Sequence, residues 1–388
     1  MPPAIDLSDL AVVDGHCHPF FVDPWRVAPD RFANLFSEGR PGAMAAHIPH
    51  VAYYRRALRG LAEGLGVEPT VEAVLARRPV GGRQAARRLW AEQRITALLV
   101  DTGYPAEAMS LVEMRELLPC RVHEVFRIET CAEALLARAL PWEEFREAFR
   151  SELRAAATRC VALKTIVAYR SGLALRDWAE ADVAESYRRV SARVRGGGSR
   201  RLTEKPLLDT LVAEALEVAR STGRPLQLHT GFGDPDIDLI QANPLLLRPI
   251  LEDPRWASVR LVLLHLAYPY AREVAFMAAV WPQVHVDLSL ALPFLGAGSV
   301  SPLIETLALA PASKLLYGSD VSGIPELFPL VAAWAREALG EALGWLVERG
   351  QLRADEARDA GRRILAGNAL ALYGLPAAGP LEGGTAAA

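Results

Sequence analysis

Lysine is almost missing from this chain. Of its 388 residues 43 are basic, and only Lys164, Lys205 and Lys314 are lysines. Guanidinium stays protonated where a buried amine loses its proton, so a lysine in this background is a candidate for chemistry that arginine cannot perform. Cysteine is scarce too: Cys17, Cys120, Cys131 and Cys160 lack CxxC spacing. They are expected to be reduced thiols rather than disulfides. No apolar run reaches the ~18 residues that a membrane span needs. Met1-Pro2-Pro3 leads into polar residues rather than a secretory leader, so the expectation is a soluble, cytoplasmic protein. The net charge of −3 gives no electrostatic reason to expect nucleic acid or an anionic membrane. The expected partner is a small-molecule substrate, and a homo-oligomer stays open.

What is present is a large apolar fraction, 51% of residues, enough for a sizeable core. The chain is longer than the usual domain of about 100–200 residues. It is therefore one large α/β barrel with insertions, or two domains. The stretch that organises it is Val12-Val13-Asp14-Gly15-His16-Cys17-His18. Side chains alternate along an extended strand, so His16 and His18 face the same way and can share one ion.

Apolar, strand-like runs that end in polar groups recur downstream. A long excursion, about 20–94, has helical periodicity at Val51, Tyr54, Leu58 and Leu61 and again at Val71, Val74 and Leu75. It reads as a helical cap after strand one. Strand two is Ile95–Asp101, strand three Arg121–Glu129 and strand four Cys160–Val167, leading to Tyr169 and Arg170. A basic, glycine-broken segment at about 173–205 reads as a solvated loop, with a lid or anion-binding patch as the sharper alternative. Strands five to eight are Leu226–Thr230, Val259–His265, Val284–Leu288 and Lys314–Asp320, with helices between them. Strands apolar on both faces belong to a parallel, closed (β/α)8 TIM barrel. The expectation is one domain over 1–375 with helical insertions after strands one and four and a helical C-terminal tail. Residues 376–388 read as a disordered end.

In such a barrel, reactive groups sit at the C-terminal ends of the strands. His16 and His18 end strand one, Lys164 lies on four, His229 on five, His265 on six and Asp320 on eight. Imidazole and carboxylate suit zinc and related divalent ions. Four histidines suffice for one ion. Lys164 suggests more, because a buried amine can add carbon dioxide to become a carbamate that bridges two. His16, His18 and Asp320 would then serve one ion, and His229 and His265 the other. Arg127, Glu129, Tyr169 and Arg170, ending or following strands three and four, are candidate substrate contacts; the arginines suit a carboxylate. Asp234, Asp236 and Asp238 read as turn formers, and His47, His50, His123 and His285 as surface or packing residues.

This pattern resembles the amidohydrolase superfamily, and more closely its amidohydrolase-2 branch. The tail Gly367-Asn368-Ala369-Leu370-Ala371-Leu372-Tyr373-Gly374 is similar to that branch. The segment from Lys164 to Leu173 resembles TIM-barrel hydrolases related to the amidohydrolase domain of FluG-type glutamine synthetase fusions. The resemblance implies a metal-dependent hydrolase with two zinc or other divalent ions and a carboxylated Lys164. In it, metal-activated hydroxide attacks an amide C–N or ester bond of a small anionic substrate, and Asp320 carries the proton. The alternative in the same branch is a one-metal, non-oxidative decarboxylase with an unmodified lysine.

Overall fold

The computed structural model describes residues 3–105 and 107–376. The end expected to be disordered lies, apart from Pro376, outside them. Eight parallel strands pair in strict sequence order: β1 Val12–Cys17, β2 Ile95–Asp101, β3 Arg121–Arg127, β4 Ala162–Thr165, β5 Leu226–Leu228, β6 Leu261–Leu263, β7 Val284–Asp287 and β8 Leu315–Leu316. Between β8 and β1 the chain closes through backbone hydrogen bonds. Gly15 N donates to Tyr317 O at 2.9 Å, Asp320 N to His16 O at 2.9 Å and His18 N to Val321 O at 2.9 Å. The last two bonds tie the segment after β8 to the end of β1. The result is the TIM barrel that the apolar strands demanded.

The strands are shorter than their apolar runs. β3 turns directly into the helix Ile128–Leu136, so Glu129 belongs to a helix rather than a strand end. After β6 the chain takes three consecutive left-handed residues, His265 (φ 67°), Leu266 (φ 53°) and Ala267 (φ 46°). Such backbone costs about 1–3 kcal/mol per residue and needs dense surroundings to persist. Gly231 provides part of them: a Cβ there would lie 2.5 Å from the Ala267 carbonyl carbon. Only glycine lets the loop after β5 press against the loop after β6.

The excursion after β1 is helical as read, with helices Pro29–Asn34, Ala52–Leu65 and Val71–Glu92. Its core is aromatic: Phe36 meets Tyr53 at 5.1 Å and Tyr54 at 5.3 Å between ring centroids. Rings that large dominate burial energetics, and edge-to-face pairs add about 0.5–1.5 kcal/mol each. Arg78 fastens the excursion to the body through Glu326, both fully buried, at 2.9 Å. The segment at 173–205 corrects the loop reading and bears out the helical insertion expected after strand four. About half of it is the helix Glu180–Arg195, whose Val183, Tyr187 and Val190 are buried, the Tyr187 ring 4.8 Å from that of Phe145. Seven residues per two turns carry that stripe, which the surrounding arginines obscure in the sequence.

A second correction concerns apolar length. After β7, the pieces Ala291–Leu295, Gly296–Ser299 and Val300–Leu309 form one 19-residue stretch long and apolar enough to cross a membrane. Gly296 (φ 53°) breaks it, and its pieces pack on the long helix Leu327–Glu348. The tail beyond seals the barrel's lower end. Ala369, Leu372 and Tyr373 join Val13, Leu99, Val125 and Leu316 in one apolar cluster. Asn368 Nδ2 donates to Ala312 O and Leu315 O, both at 2.7 Å, fixing the plug beside β8.

Candidate metal centre

All six predicted ligands line one cavity of roughly 410 Å³ at the C-terminal mouth of the barrel. Asp320, left-handed at φ 59°, turns its carboxylate back over β1. Its Oδ1 lies 3.0 Å from His16 Nε2 and 3.3 Å from His18 Nε2, and its Oδ2 lies 4.0 Å from His265 Nδ1. Lys164 Nζ reaches His16 Nε2 at 3.4 Å, and His229 Nδ1 stands 2.9 Å from His265 Nε2.

The outer partners of these rings decide where their protons are. His18 Nδ1 faces the Asp101 carbonyl at 3.0 Å and donates to it, which leaves Nε2 bare toward Asp320. His229 Nε2 donates to Phe232 O at 3.1 Å, which leaves Nδ1 bare. Ser289 gives its hydroxyl proton to the Asp287 carboxylate and accepts from His265 Nδ1 at 3.0 Å, which leaves Nε2 bare. Two lone pairs therefore face each other between His229 and His265, and a third faces a carboxylate oxygen. Asp320 Oδ1 itself has no well-aligned donor. Electron pairs converging without protons fit a divalent cation, and outer partners of this kind are how proteins orient metal-binding imidazoles.

Electrostatics agree with the geometry. Burial, with the Lys164 charge beside it, pushes His16 down to about 4, and burial pushes His229 and His265 well below the ordinary imidazole range. Neutral imidazole is the ligating form. Burial also pulls Lys164 down to about 8, outweighing the Asp101 charge that raises it. Burial would raise Asp320, but the three surrounding imidazoles hold it well below the carboxylate range. The sets His16, His265, Asp320 and His16, His18, Asp101 each bring their ligand atoms within 4.8 Å of one another.

The candidate substrate contacts separate. Tyr169 lines the cavity with its ring 4.2 Å from that of His229, and Arg170 lines it beside Tyr169. Arg127 also borders it, but its guanidinium is held by the Asp101 carboxylate at 2.6 Å and by Gly103 O at 3.3 Å. Glu129 lies outside the lining. It is buried and accepts from Ile166 N at 2.9 Å and from the Thr165 hydroxyl, anchoring the end of β4 next to Lys164. Asp238 accepts from Ile240 N and Gln241 N as a turn former should, whereas Asp234 and Asp236 line the cavity. His47, His50, His123 and His285 are absent from the lining.

Several lining residues escaped the sequence reading: Arg31, Glu38 and Tyr53 from the excursion, and Tyr104 after β2. No local pattern marks which face of a cap turns inward. Asp101 did have a signal, since it ends an apolar run at the same level as the predicted ligands.

Imidazoles, an amine and a carboxylate gathered at the upper end of a parallel eight-stranded barrel define a metal-binding TIM-barrel enzyme. The amidohydrolase family model matches residues 133–375, more than half of the chain, and the chain belongs to that family. Over 244 residues, 60% of this chain, the sequence is 31% identical to Protein fluG of Emericella nidulans. That stretch is only 28% of the fluG length. A crystal structure of a proposed metal-dependent hydrolase from Lactobacillus casei is 27% identical, covers 96% of this chain and 98% of its own, and superposes with a TM-score of 0.87. An uronate isomerase from Bacillus halodurans shares the fold at 12% identity, with a TM-score of 0.63 over 95% of this chain and 94% of its own.

Proposed function

We propose that the protein is a metal-dependent hydrolase that cleaves an amide C–N or ester bond in a small substrate bearing an anionic group. The observation that carries this reading is the approach of His229 Nδ1 to His265 Nε2 at 2.9 Å beside the His16–His18–Asp320 set. In this reading the two sets serve two ions, and Lys164, 3.4 Å from His16 Nε2, bridges them as a carbamate. A buried amine with a lowered pKa is the form that adds to carbon dioxide, yielding a carbamate and releasing one proton.

Bound divalent ions would polarise a carbonyl and lower the pKa of water from 15.7 to about 7. The chain's own residues do the rest. Asp320 Oδ1 faces His16 and His18, where an ion would sit, which leaves Oδ2 to take a proton from the attacking water and deliver it to the leaving nitrogen or oxygen. Arg170 orients the substrate's anionic end. Tyr53, Tyr104 and Tyr169 wall the mouth and limit water.

A one-ion lyase, decarboxylating a carboxylated substrate over an unmodified Lys164, is the second reading. It is favoured by one observation: the compact ligand groups within 4.8 Å gather around His16, with His265 and Asp320 or with His18 and Asp101, and do not include His229. Elemental analysis of protein produced with divalent metals and bicarbonate, beside Lys164→Ala, separates the two. About two ions per chain, dropping in the variant, support the hydrolase, and the screen then uses amides, lactones and esters. One ion, unchanged in the variant, overturns the two-ion hydrolase in favour of the lyase.

A further inference from the structure

The cavity holds charges that the metal centre does not use. Glu38, from the excursion after β1, and Asp234, from the loop after β5, both line it. Neither carboxylate has a hydrogen-bond or ion-pair partner among the described residues, whereas Asp236 beside them is paired with Arg201. The loop carrying Asp234 is held tightly in place. Its backbone N–H donates to the Tyr169 hydroxyl at 3.2 Å, and a Cβ on Gly233 would run into that same hydroxyl and lie 3.1 Å from the His229 ring. Asp234 therefore stands at the rim of the cavity, its backbone fixed beside the metal centre and the residue open to solvent. Burial comes first among the forces that raise both carboxyls, Glu38 to about 8; the Asp320 and Asp234 charges raise Glu38 further, and the Asp236 and Asp320 charges raise Asp234.

A complementary want lies on the same cavity. The Arg170 side chain is 9% exposed, and its Nε and Nη1 have no acceptor; its nearest carboxylate, Glu133, is 3.5 Å from Nη2. Unpaired charges of either sign are expensive to keep out of water. One wall carries two carboxylates without a cation partner among the described residues, and another a guanidinium that Glu133 meets at Nη2 while Nε and Nη1 find no acceptor. A ligand carrying both charges satisfies both walls, and the tyrosine faces of Tyr104 and Tyr169 favour a cation over a neutral group there.

We infer that the substrate is zwitterionic, with an ammonium group seated against Glu38 and Asp234 and a carboxylate against Arg170. The inference rests on the reading of this cavity as the substrate site of a metal-dependent hydrolase. It is tested by calorimetry on the metal-loaded full chain, using ω-aminocarboxylates of three to eight carbons. Plain carboxylates and alkylamines of matching length are the controls, and the proteins are wild type, Glu38→Gln, Asp234→Asn and Arg170→Met. At least one ω-aminocarboxylate is expected to bind about tenfold or more tightly than both matched controls. Glu38→Gln should bring it down to the plain carboxylate, and Arg170→Met to the alkylamine. No preference at any length overturns the inference, as does a preference that survives Glu38→Gln and Asp234→Asn together. Metal content is read on the same preparations. A zwitterion preference on a chain that takes up no metal supports the inference and overturns the hydrolase reading; metal uptake with no preference does the reverse.

Discussion

Arg127 Nη2 lies 2.6 Å from Asp101 Oδ2, and the Asp101 side chain is fully buried. The same aspartate's carbonyl takes the proton of His18 Nδ1 at 3.0 Å. Burial alone would raise the Asp101 carboxyl; the Arg127 charge, with His18 and Lys164, instead brings it well below the usual range. Arg127 thus neutralises the residue that aims a candidate metal ligand.

Replacing Arg127 with Met strands a buried carboxylate, which costs about 3–5 kcal/mol in comparable cases. The denaturant midpoint of the variant should fall accordingly, and chelator competition should show weaker metal binding as His18 loses its fixed partner. A variant of unchanged stability and metal affinity, with only KM raised, would return Arg127 to the substrate contacts where its place at the end of β3 first put it.

Ser289 holds the tautomer of His265 by passing its own proton to Asp287. Removing that hydroxyl in Ser289→Ala leaves the ring free to rotate and Nε2 free to protonate. Losses of such outer partners typically weaken metal affinity about 10–100-fold. Metal titration against a competing chelator checks this directly, and wild-type affinity would show that packing alone orients the ring.

The barrel and the six polar residues gathered at its mouth were legible because both obey short-range rules. Apolar runs such as Leu98–Val100 and Val262–Leu264 report strands buried on both faces, and the polar residue ending each run must sit at the mouth. What the sequence hid depends on tertiary placement. Glu38 lies in an excursion whose helices are visible in their periodicity but whose docking angle is not. Glu129 looked like a strand end because nothing in Arg127-Ile128-Glu129 marks the turn into a helix at Ile128. The helix Glu180–Arg195 was hidden by arginine, since a stripe of Val183, Tyr187 and Val190 is sparse among so many charges.

Glu38 makes stability depend on pH in an unusual direction. Its carboxyl is raised to about 8 in the folded chain, chiefly by burial, against about 4.3 for an unperturbed glutamate. Between those values the folded state binds more protons than the unfolded one, so this group's contribution is full below about 4 and is lost as pH rises toward 8. Glu38→Gln cannot ionise. The denaturant midpoint of the metal-free variant should match wild type near pH 4.5 and exceed it at pH 9. Parallel curves across that range would mean that Glu38 meets water freely.

Asp320 offers the sharpest test of proton transfer, because its backbone constrains the choice of variant. At φ 59° it occupies the left-handed region, which asparagine and aspartate tolerate better than other side-chain-bearing residues. Asp320→Asn therefore keeps the turn, whereas Asp320→Ala adds strain to lost chemistry. The amide still offers one oxygen toward His16 and His18 but no longer accepts a proton at Oδ2. Turnover should fall by about 10²–10⁴-fold, the usual share of a positioned general base, while the thermal midpoint stays near wild type. An Asn variant that keeps wild-type turnover would assign the proton to another group, and the unpaired Asp234 carboxylate, at the edge of the same cavity, would be the next to replace.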